Sequence, residues 1–522
     1  MPQADTVAIP KRLPLVIQPE NRDESTLKDA KLINGYVEKN EQAQETWIYK
    51  RPGLLQTGVT QTGNGYGAYN WLGDIYTIFG ATMYKNGVAL SGTLDTTGGF
   101  YRFSSCLGTT PKMQFGNGVA TYNYDSAGGI VQISNLKTVT AGSFVVGVVY
   151  TILTVGTTNF VAIGAASNTV GVVFTATGVG SGTGTATTDS NFPAVCVKGI
   201  GYLDGTTYVA NSDASIRGCT SLNDPTLWTD LLNRLTAQIE PDGGVALAKQ
   251  LVYILMLGQW STEVFYDAAN ATGSPLSPVQ GAKINYGCVH ADSVQDIDGV
   301  LFWVATNRGA APQIIMLENL KPQIISTKAI ERLLGEASFA NIISFSIKYE
   351  GHRFYILTLK DENLTLVYDM SDKMWAQWTD ENGNYWPIVA STYNSTLGRV
   401  LQHETNGKMY LFDAEYTSDD GAPITVDLYP PNFDGGVRRR KTLNVMEFIG
   451  DQTAGSILDV RSNDYDYAAD KWTNFRRVDL GQKKPTLINN GTFMRRAYHF
   501  RHKCNTRMRL QAIELQIDIG TL

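Results

Sequence analysis

The 522 residues are 43% hydrophobic and only 18% charged, with 51 glycines, a composition suited to short strands joined by tight turns in a chain too long for one ordinary core. A formal net charge of −6 disfavours a sequence-specific DNA binder, and five widely spaced cysteines without a Cys-x-x-Cys pair fit free thiols in a reducing cytoplasm. The opening Met1-Pro-Gln-Ala-Asp5 has no basic and apolar signal region, and no run of about 18 purely apolar residues occurs, so the expectation is a soluble chain not exported by a signal.

Residues 1–60 read as an N-terminal arm leading into the main body. Residues 61–425 carry the informative feature, a recurring glycine, two residues, an aromatic, one residue, then an apolar or small residue. It reads Gly73-Asp-Ile-Tyr76-Thr-Ile78, Gly205-Thr-Thr-Tyr208-Val-Ala210, Gly299-Val-Leu-Phe302-Trp-Val304, Gly351-His-Arg-Phe354-Tyr-Ile356 and Gly407-Lys-Met-Tyr410-Leu-Phe412. Glycine ends a turn and the alternating run enters a strand. Weaker copies begin at Lys249, ahead of Tyr253, and around Gly116-Asn117-Gly118, ahead of Tyr122 and Tyr124. From 205 the starts fall at 249, 299, 351 and 407, intervals of 44, 50, 52 and 56 residues, the length of a propeller blade. The expectation is an all-β chain whose main body is a β-propeller of six or seven blades.

Within one repeat, Phe354, Ile356 and Thr358 face one side and Tyr355, Leu357 and Leu359 the other. Lys360 to Asn363 then turns the chain into Leu364–Asp369, and Met374-Trp375-Ala-Gln-Trp378 supplies the next strand. Both faces are apolar, as a sheet packed between two neighbours requires. The rhythm breaks at residues 136–192, where Thr138 to Thr188 contains no charged residue and alternates Gly, Thr, Val and Ala. This stretch is expected to be a small inserted β-module outside the ring. Thr327 to Gly335 reads as a helix of about two turns between blades, capped by Thr327 and stopped by Gly335.

After Tyr429-Pro430-Pro431 the rhythm ends. Residues 426–522 are expected to form a separate β-sandwich-like domain, and from 435 onward 16 Lys and Arg stand against 9 Asp and Glu, leaving the rest of the chain acidic. The run Arg438, Arg439, Arg440 and Lys441 is the candidate interface; such a segment fits an acidic protein surface, favoured because the rest of the chain is acidic, or nucleic acid.

Catalytic, cofactor and metal sites are not expected. The five histidines form no His-x-x-x-His or His-x-His set; His499 and His502 would face opposite sides of a strand, which argues against zinc with Cys504. Asp296-Ile-Asp298-Gly299 lacks the later acidic positions of a calcium loop and reads as a hairpin turn. The glycine-rich runs at 63–67 and 178–184 lead into no helix that could hold a phosphate, scattered acids such as Asp464 and Asp466 have no marked partner, and no Gly-x-Ser-x-Gly elbow occurs.

Leu32-Ile33-Asn34-Gly35-Tyr36-Val37-Glu38 followed by Tyr49-Lys50-Arg51-Pro52-Gly53-Leu54 resembles the opening of the tail hub, or packaged-DNA stabilisation, family of short-tailed bacteriophages. Pro241-Asp242-Gly243-Gly244 leading to Leu257–Tyr266, then Ile330–Leu334, then Leu366–Asp369 with Trp375 and Trp378, keep that family's order. The resemblance implies a non-enzymatic virion protein of the tail, assembled in the host cytoplasm as a homo-hexameric ring beneath the portal and its adaptor. Such a ring would bind a tail needle or plug and a tailspike or fibre, and would pass double-stranded DNA without reading it. The ring and its position rest only on the resemblance. A propeller that binds or depolymerises carbohydrate is the alternative, suggested by the abundant Trp and Tyr, and a monomeric host scaffold is a third reading.

Overall fold

The structure, a computed structural model, describes residues 10–15, 30–40, 45–465, 468 and 470–520; the opening Met1–Asp5, much of the N-terminal arm and Asp466 lie outside the described residues. Apart from the helix Lys328–Glu336 and short 3-10 turns, the described elements are strands. Seven sheets follow one another as blades: 65–89, 102–132, 201–236, 244–278, 287–324, 342–377, and 388–413 completed by Gly53–Thr57. The fold is the expected all-β propeller, with seven blades.

The repeated glycine has a single physical origin in four of its copies. In Leu72-Gly73, Asp204-Gly205, Asp298-Gly299 and Glu350-Gly351 both residues have positive φ, the two-residue hairpin turn whose twist matches the strands it joins. Each turn links the first, innermost strand of a blade to its second, and the aromatic three residues on (Tyr76, Tyr208, Phe302, Phe354) is almost fully buried in that second strand. Asp296-Ile-Asp298-Gly299 is accordingly a turn, with Gly299 N–H donating to the Asp296 carboxylate at 2.7 Å. Gly407 departs from the scheme. It leads into the third strand of blade 7, Met409–Asp413, while the second strand is Gly398–His403, so the interval of 56 residues spans more than one blade step. Gly116 to Tyr124 likewise covers the second and third strands of blade 2.

Blade 6 packs as its alternation requires. Tyr355, Leu357 and Leu359 join Phe302 and Val304 of blade 5 in one buried cluster, while Phe354 and Ile356 join Leu401 and Phe412 of blade 7 in another. Burial of each such side chain contributes roughly 1.5–3 kcal/mol, so the sheets hold one another in place. Blades 7 and 1 are tied differently: the fully buried Gln402 accepts from Gly67 N–H at 2.9 Å and donates to Ile78 O at 2.8 Å. The helix Lys328–Glu336 lies between blades 5 and 6 with Thr327 as N-cap, and it buries Ile330 and Leu334. It continues through Gly335 and ends against the extended Ala337.

Leu136–Thr140, Val149–Thr154, Val173–Thr175 and Thr185–Asp189 form a four-stranded sheet of their own. Its core is Phe144, Tyr150, Phe160 and Phe174 with smaller apolar residues, so the charge-free segment folds around its own aromatics. The module leaves and rejoins the propeller at adjacent points, with Ser190 N–H donating to Asn135 O at 2.8 Å.

The C-terminal residues form a sandwich that the chain's N-terminus completes. One face continues the sheet of blade 6 outward through Lys31–Ile33, Val426–Tyr429, Ala497–His502, Ile457–Asn463 and Arg476–Asp479. The other pairs Gly35–Asn40 and Glu45–Lys50 with Arg509–Ile519 and Lys441–Gly450, and Pro10–Arg12 pairs with Arg509–Ile519 as well. Ile48 from the N-terminal arm is fully buried among Phe448, Leu458, Phe500 and Ile513.

The two N-terminal motifs of the resemblance meet at the joint between propeller and sandwich. Asn34, buried with φ 56°, donates to Thr379 Oγ1 and Thr425 O and accepts from Arg51 Nε at 3.0 Å and Thr379 N at 2.8 Å. Arg51, 1% exposed, also donates to Asp419 Oδ1 at 2.9 Å and to Thr379 O at 3.1 Å, with its guanidinium over the Trp386 ring. Gly35 and Gly53 are required by close approach: a Cβ at Gly35 would sit 2.7 Å from Tyr49 O, and one at Gly53 would sit 2.4 Å from Ser418 O. From this joint Gly53–Thr57 pairs with Met409–Asp413 and closes the ring. Replacing Arg51 with Met leaves the part-buried Asp419 without its guanidinium and removes one of the two donors to Asn34 Oδ1, and is expected to destabilise the chain by roughly 3 kcal/mol. Urea unfolding followed by tryptophan fluorescence checks this, since Trp378 and Trp386 flank the guanidinium.

Candidate functional site

The basic run sits on the loop that enters strand Lys441–Gly450. Phe433 and Arg496 exchange backbone hydrogen bonds at 2.9 Å, and Gly435 and Gly436 with positive φ reverse the chain. Arg438, Arg439 and Arg440 are exposed, and among the described residues none has a carboxylate partner. Lys441 does not share that surface. It is buried, and its ammonium donates to Val437 O, to Arg439 O at 2.9 Å and to Met494 O at 2.8 Å. Burial holds its pKa below the ordinary lysine value. The strand alternation that puts Lys441 inward was readable, but the loop carbonyls awaiting it were not. Lys441 therefore shapes the loop and the three arginines present it.

The propeller axis is a second feature. The inner strands enclose a cavity of about 450 Å³ lined by residues of all seven blades or of the segments leading into them. Asp292, from the turn before Gln295–Ile297 in blade 5, accepts from Lys198 Nζ at 2.5 Å and Arg102 Nη2 at 3.4 Å. Arg102 belongs to blade 2 and Lys198 to the segment entering blade 3, so the ions bridge blades that are not neighbours. Nothing in the local sequence announces this network, because its three members are separated by up to 190 residues.

His499 and His502 make buried polar contacts. His499, on the strand beside Val426–Tyr429, accepts from Arg461 Nε at 2.8 Å through Nδ1 and meets Asp427 Oδ1 through Nε2 at 2.5 Å. His502 contacts Ser456 Oγ at 3.0 Å and is pushed down to about 3 by burial, with Lys50 adding to the effect. Neither forms a set with Cys504. The group that sequence reading missed is His352 with Asp369 and Asp372, whose ligand atoms lie within 4.8 Å of one another. His352 Nδ1 is 2.6 Å from Asp369 and 3.5 Å from Asp372, and Asp372 in turn accepts from Lys39 N–H at 2.9 Å. Burial works against the imidazolium, but the two carboxylates prevail and raise its pKa.

Asp242 of the Pro241–Gly244 motif also has a structural task. Its carboxylate accepts from the backbone N–H groups of Gln259, Trp260 and Ser261 at 2.7–2.8 Å and locks the hairpin of blade 4. Most tryptophans are blade core, with Trp303, Trp375, Trp378 and Trp386 fully buried.

Residues 98–396 match the family model described as bacteriophage P22 Gp10, beta-propeller. The chain belongs to this family. It is a structural protein of a phage tail and a component of the virion. The matched span runs from the loop before blade 2 into blade 7 and includes the inserted module. No curated protein matches the chain. Among solved structures, the computationally designed Ika8 protein is 10% identical over 69% of this chain and 100% of its own, with a TM-score of 0.36. A catalytically inactive virginiamycin B lyase from Staphylococcus aureus with quinupristin is 8% identical over 68% and 97%, TM-score 0.37. The extracellular domain of BT4673 from B. thetaiotaomicron is 9% identical over 87% and 58%, also with a TM-score of 0.37.

Two measurements follow for this tail propeller. Lys441→Met should cost about 2 kcal/mol because three carbonyls lose their donor, whereas Arg439→Ala should stay within about 0.5 kcal/mol; comparing their urea midpoints separates the shaping residue from the presented one. For pH, His502 is held neutral when folded, so an unfolded chain takes up a proton that the fold refuses. Stability should fall as pH drops below 6.5, by at most about 1.4 kcal/mol per pH unit for this residue. His352 has the opposite sign: its contribution is full below the unfolded value and fades as pH rises through its raised one. Unfolding between pH 7.5 and 5 should give a flatter slope for His502→Asn and a steeper one for His352→Gln.

Proposed function

We propose that this tail protein is the non-enzymatic hub of a short tail. In this reading copies of the chain form a homo-hexameric ring beneath the portal and adaptor, close the DNA channel, stabilise packaged DNA, and dock a needle or plug together with spikes or fibres. The carrying observation is the match to the bacteriophage P22 Gp10 propeller family over more than half the chain.

Two features of the subunit support it. The axis of a single propeller is crossed by Arg102, Asp292 and Lys198 around a cavity of only about 450 Å³, so a duplex would have to run between copies and not through one. Away from the C-terminal segment the chain is acidic, and an acidic wall lets DNA slide, because each phosphate neutralised by a basic residue adds salt-sensitive affinity. The carbohydrate alternative is disfavoured by the burial of the blade tryptophans.

Imaging of the intact particle should show six copies around the tail axis, and heads assembled without this protein should fill and then lose their DNA. A single copy, or copies placed away from the axis, would refute the hub.

A further inference from the structure

We propose that the exposed Arg438–Arg440 loop of one copy seats in a tyrosine and aspartate groove between blades 3 and 4 of the next copy; this rests on the ring proposed above. The groove, of about 310 Å³, is lined by Asp204, Val252, Tyr253, Tyr266, Asp267 and Val279. Its walls come from two tight turns, Asp204-Gly205 of blade 3 and Leu251-Val252 of blade 4, and from the cross-strand pair Tyr253 and Tyr266. Among the described residues neither Asp204 nor Asp267 has a basic side chain within 4 Å, and Asp267 is held by the Ala269 N–H at 2.7 Å.

Two uncompensated carboxylates beside tyrosine rings form a receptor for guanidinium groups, which pair with carboxylates in a fork and stack on aromatic faces. The same chain carries three exposed arginines that have no acidic partner among the described residues. The apolar surroundings agree. Leu222, Leu232, Ile239, Leu251, Val252 and Tyr266 are exposed across blades 3 and 4, whereas blades 5 and 6 expose no large apolar side chain except Ile324. Apolar surface of this kind is available for a partner to cover.

Placement argues for a neighbouring copy. The sandwich that bears the arginines is attached to the outer edge of blade 6 through Lys31–Ile33 and touches blade 7 through Lys50, whose ammonium reaches Thr417 O and Cys504 O. In blade order, blade 3 stands three steps from both blades 6 and 7, and blade 4 two steps from blade 6 and three from blade 7. Within one subunit none of the three arginines lines the groove. Loop and groove can meet head to tail between copies, the heterologous contact that closes into a ring.

The test uses tail particles and the full chain. Arg438→Asp with Arg439→Asp and Arg440→Asp should weaken ring assembly by about tenfold or more, as should Asp204→Arg with Asp267→Arg, and combining both sets should restore it. Circular dichroism melts confirm that each variant folds. Independently, Arg439→Cys with Asp267→Cys should give oxidised ladders of linked subunits, with wild type as the control. Rings that form with the Asp204 and Asp267 variant as readily as with wild type overturn the pairing and leave the hub standing. So does an arginine variant that assembles into rings but no longer attaches to heads, which would assign the loop to the adaptor. Loss in both variants without rescue and without cross-linking overturns it as well. Wild-type tails without any ring overturn the hub and the pairing together.

Discussion

A single buried guanidinium organises the molecule. Arg51 is bound by Asn34 from the first crossing of the chain, by Thr379 from the end of blade 6 and by Asp419 from the end of blade 7. Segments around residues 34, 51, 379 and 419 must all be in place before its charge is satisfied, and a buried charge that lacks any of them is costly. The consequence is cooperative. The N-terminal arm cannot complete the sandwich without also delivering Gly53–Thr57 to blade 7, so ring closure and sandwich closure are one event. Lys50, next in the chain, reinforces this from the sandwich side, and burial among carbonyls pushes it down to about 8.

Much of this was legible in the sequence where the cause is local. The glycine and aromatic pattern marked the first hairpin of four blades because a two-residue turn with both φ positive selects glycine, and because the strand it feeds buries an aromatic. The alternation through Phe354 to Leu359 correctly divided its residues between two neighbouring blades. The uncharged segment was legible for a different reason: a stretch without charge but with four aromatics can close a small core unaided.

Where the cause is distant, the reading ran out. Nothing around Pro10, Lys31 or Glu45 states that these strands belong with residues 426–519, because the pairing Ile48 with Leu510 spans most of the chain and its hydrogen bonds are chemically anonymous. Gly407 misled for a related reason: second and third strands of a blade share composition, and only register distinguishes them. Of the basic run, three residues lie on the surface, but Lys441 faces inward onto carbonyls contributed partly by Met494. The bridge between Arg102, Lys198 and Asp292 joins points that only the closed ring brings together.

The inserted module shows what this architecture permits. Its two ends leave blade 2 and rejoin the path to blade 3 side by side, held by Ser190 and Asn135 and by the facing residues Leu136 and Asp189. A domain whose termini touch imposes almost no geometric demand on its host, since joining them costs little chain entropy. Evolution can thus exchange such a cassette for another of different size without disturbing the blades, and the same junction offers an engineer a place to display foreign sequence on the tail.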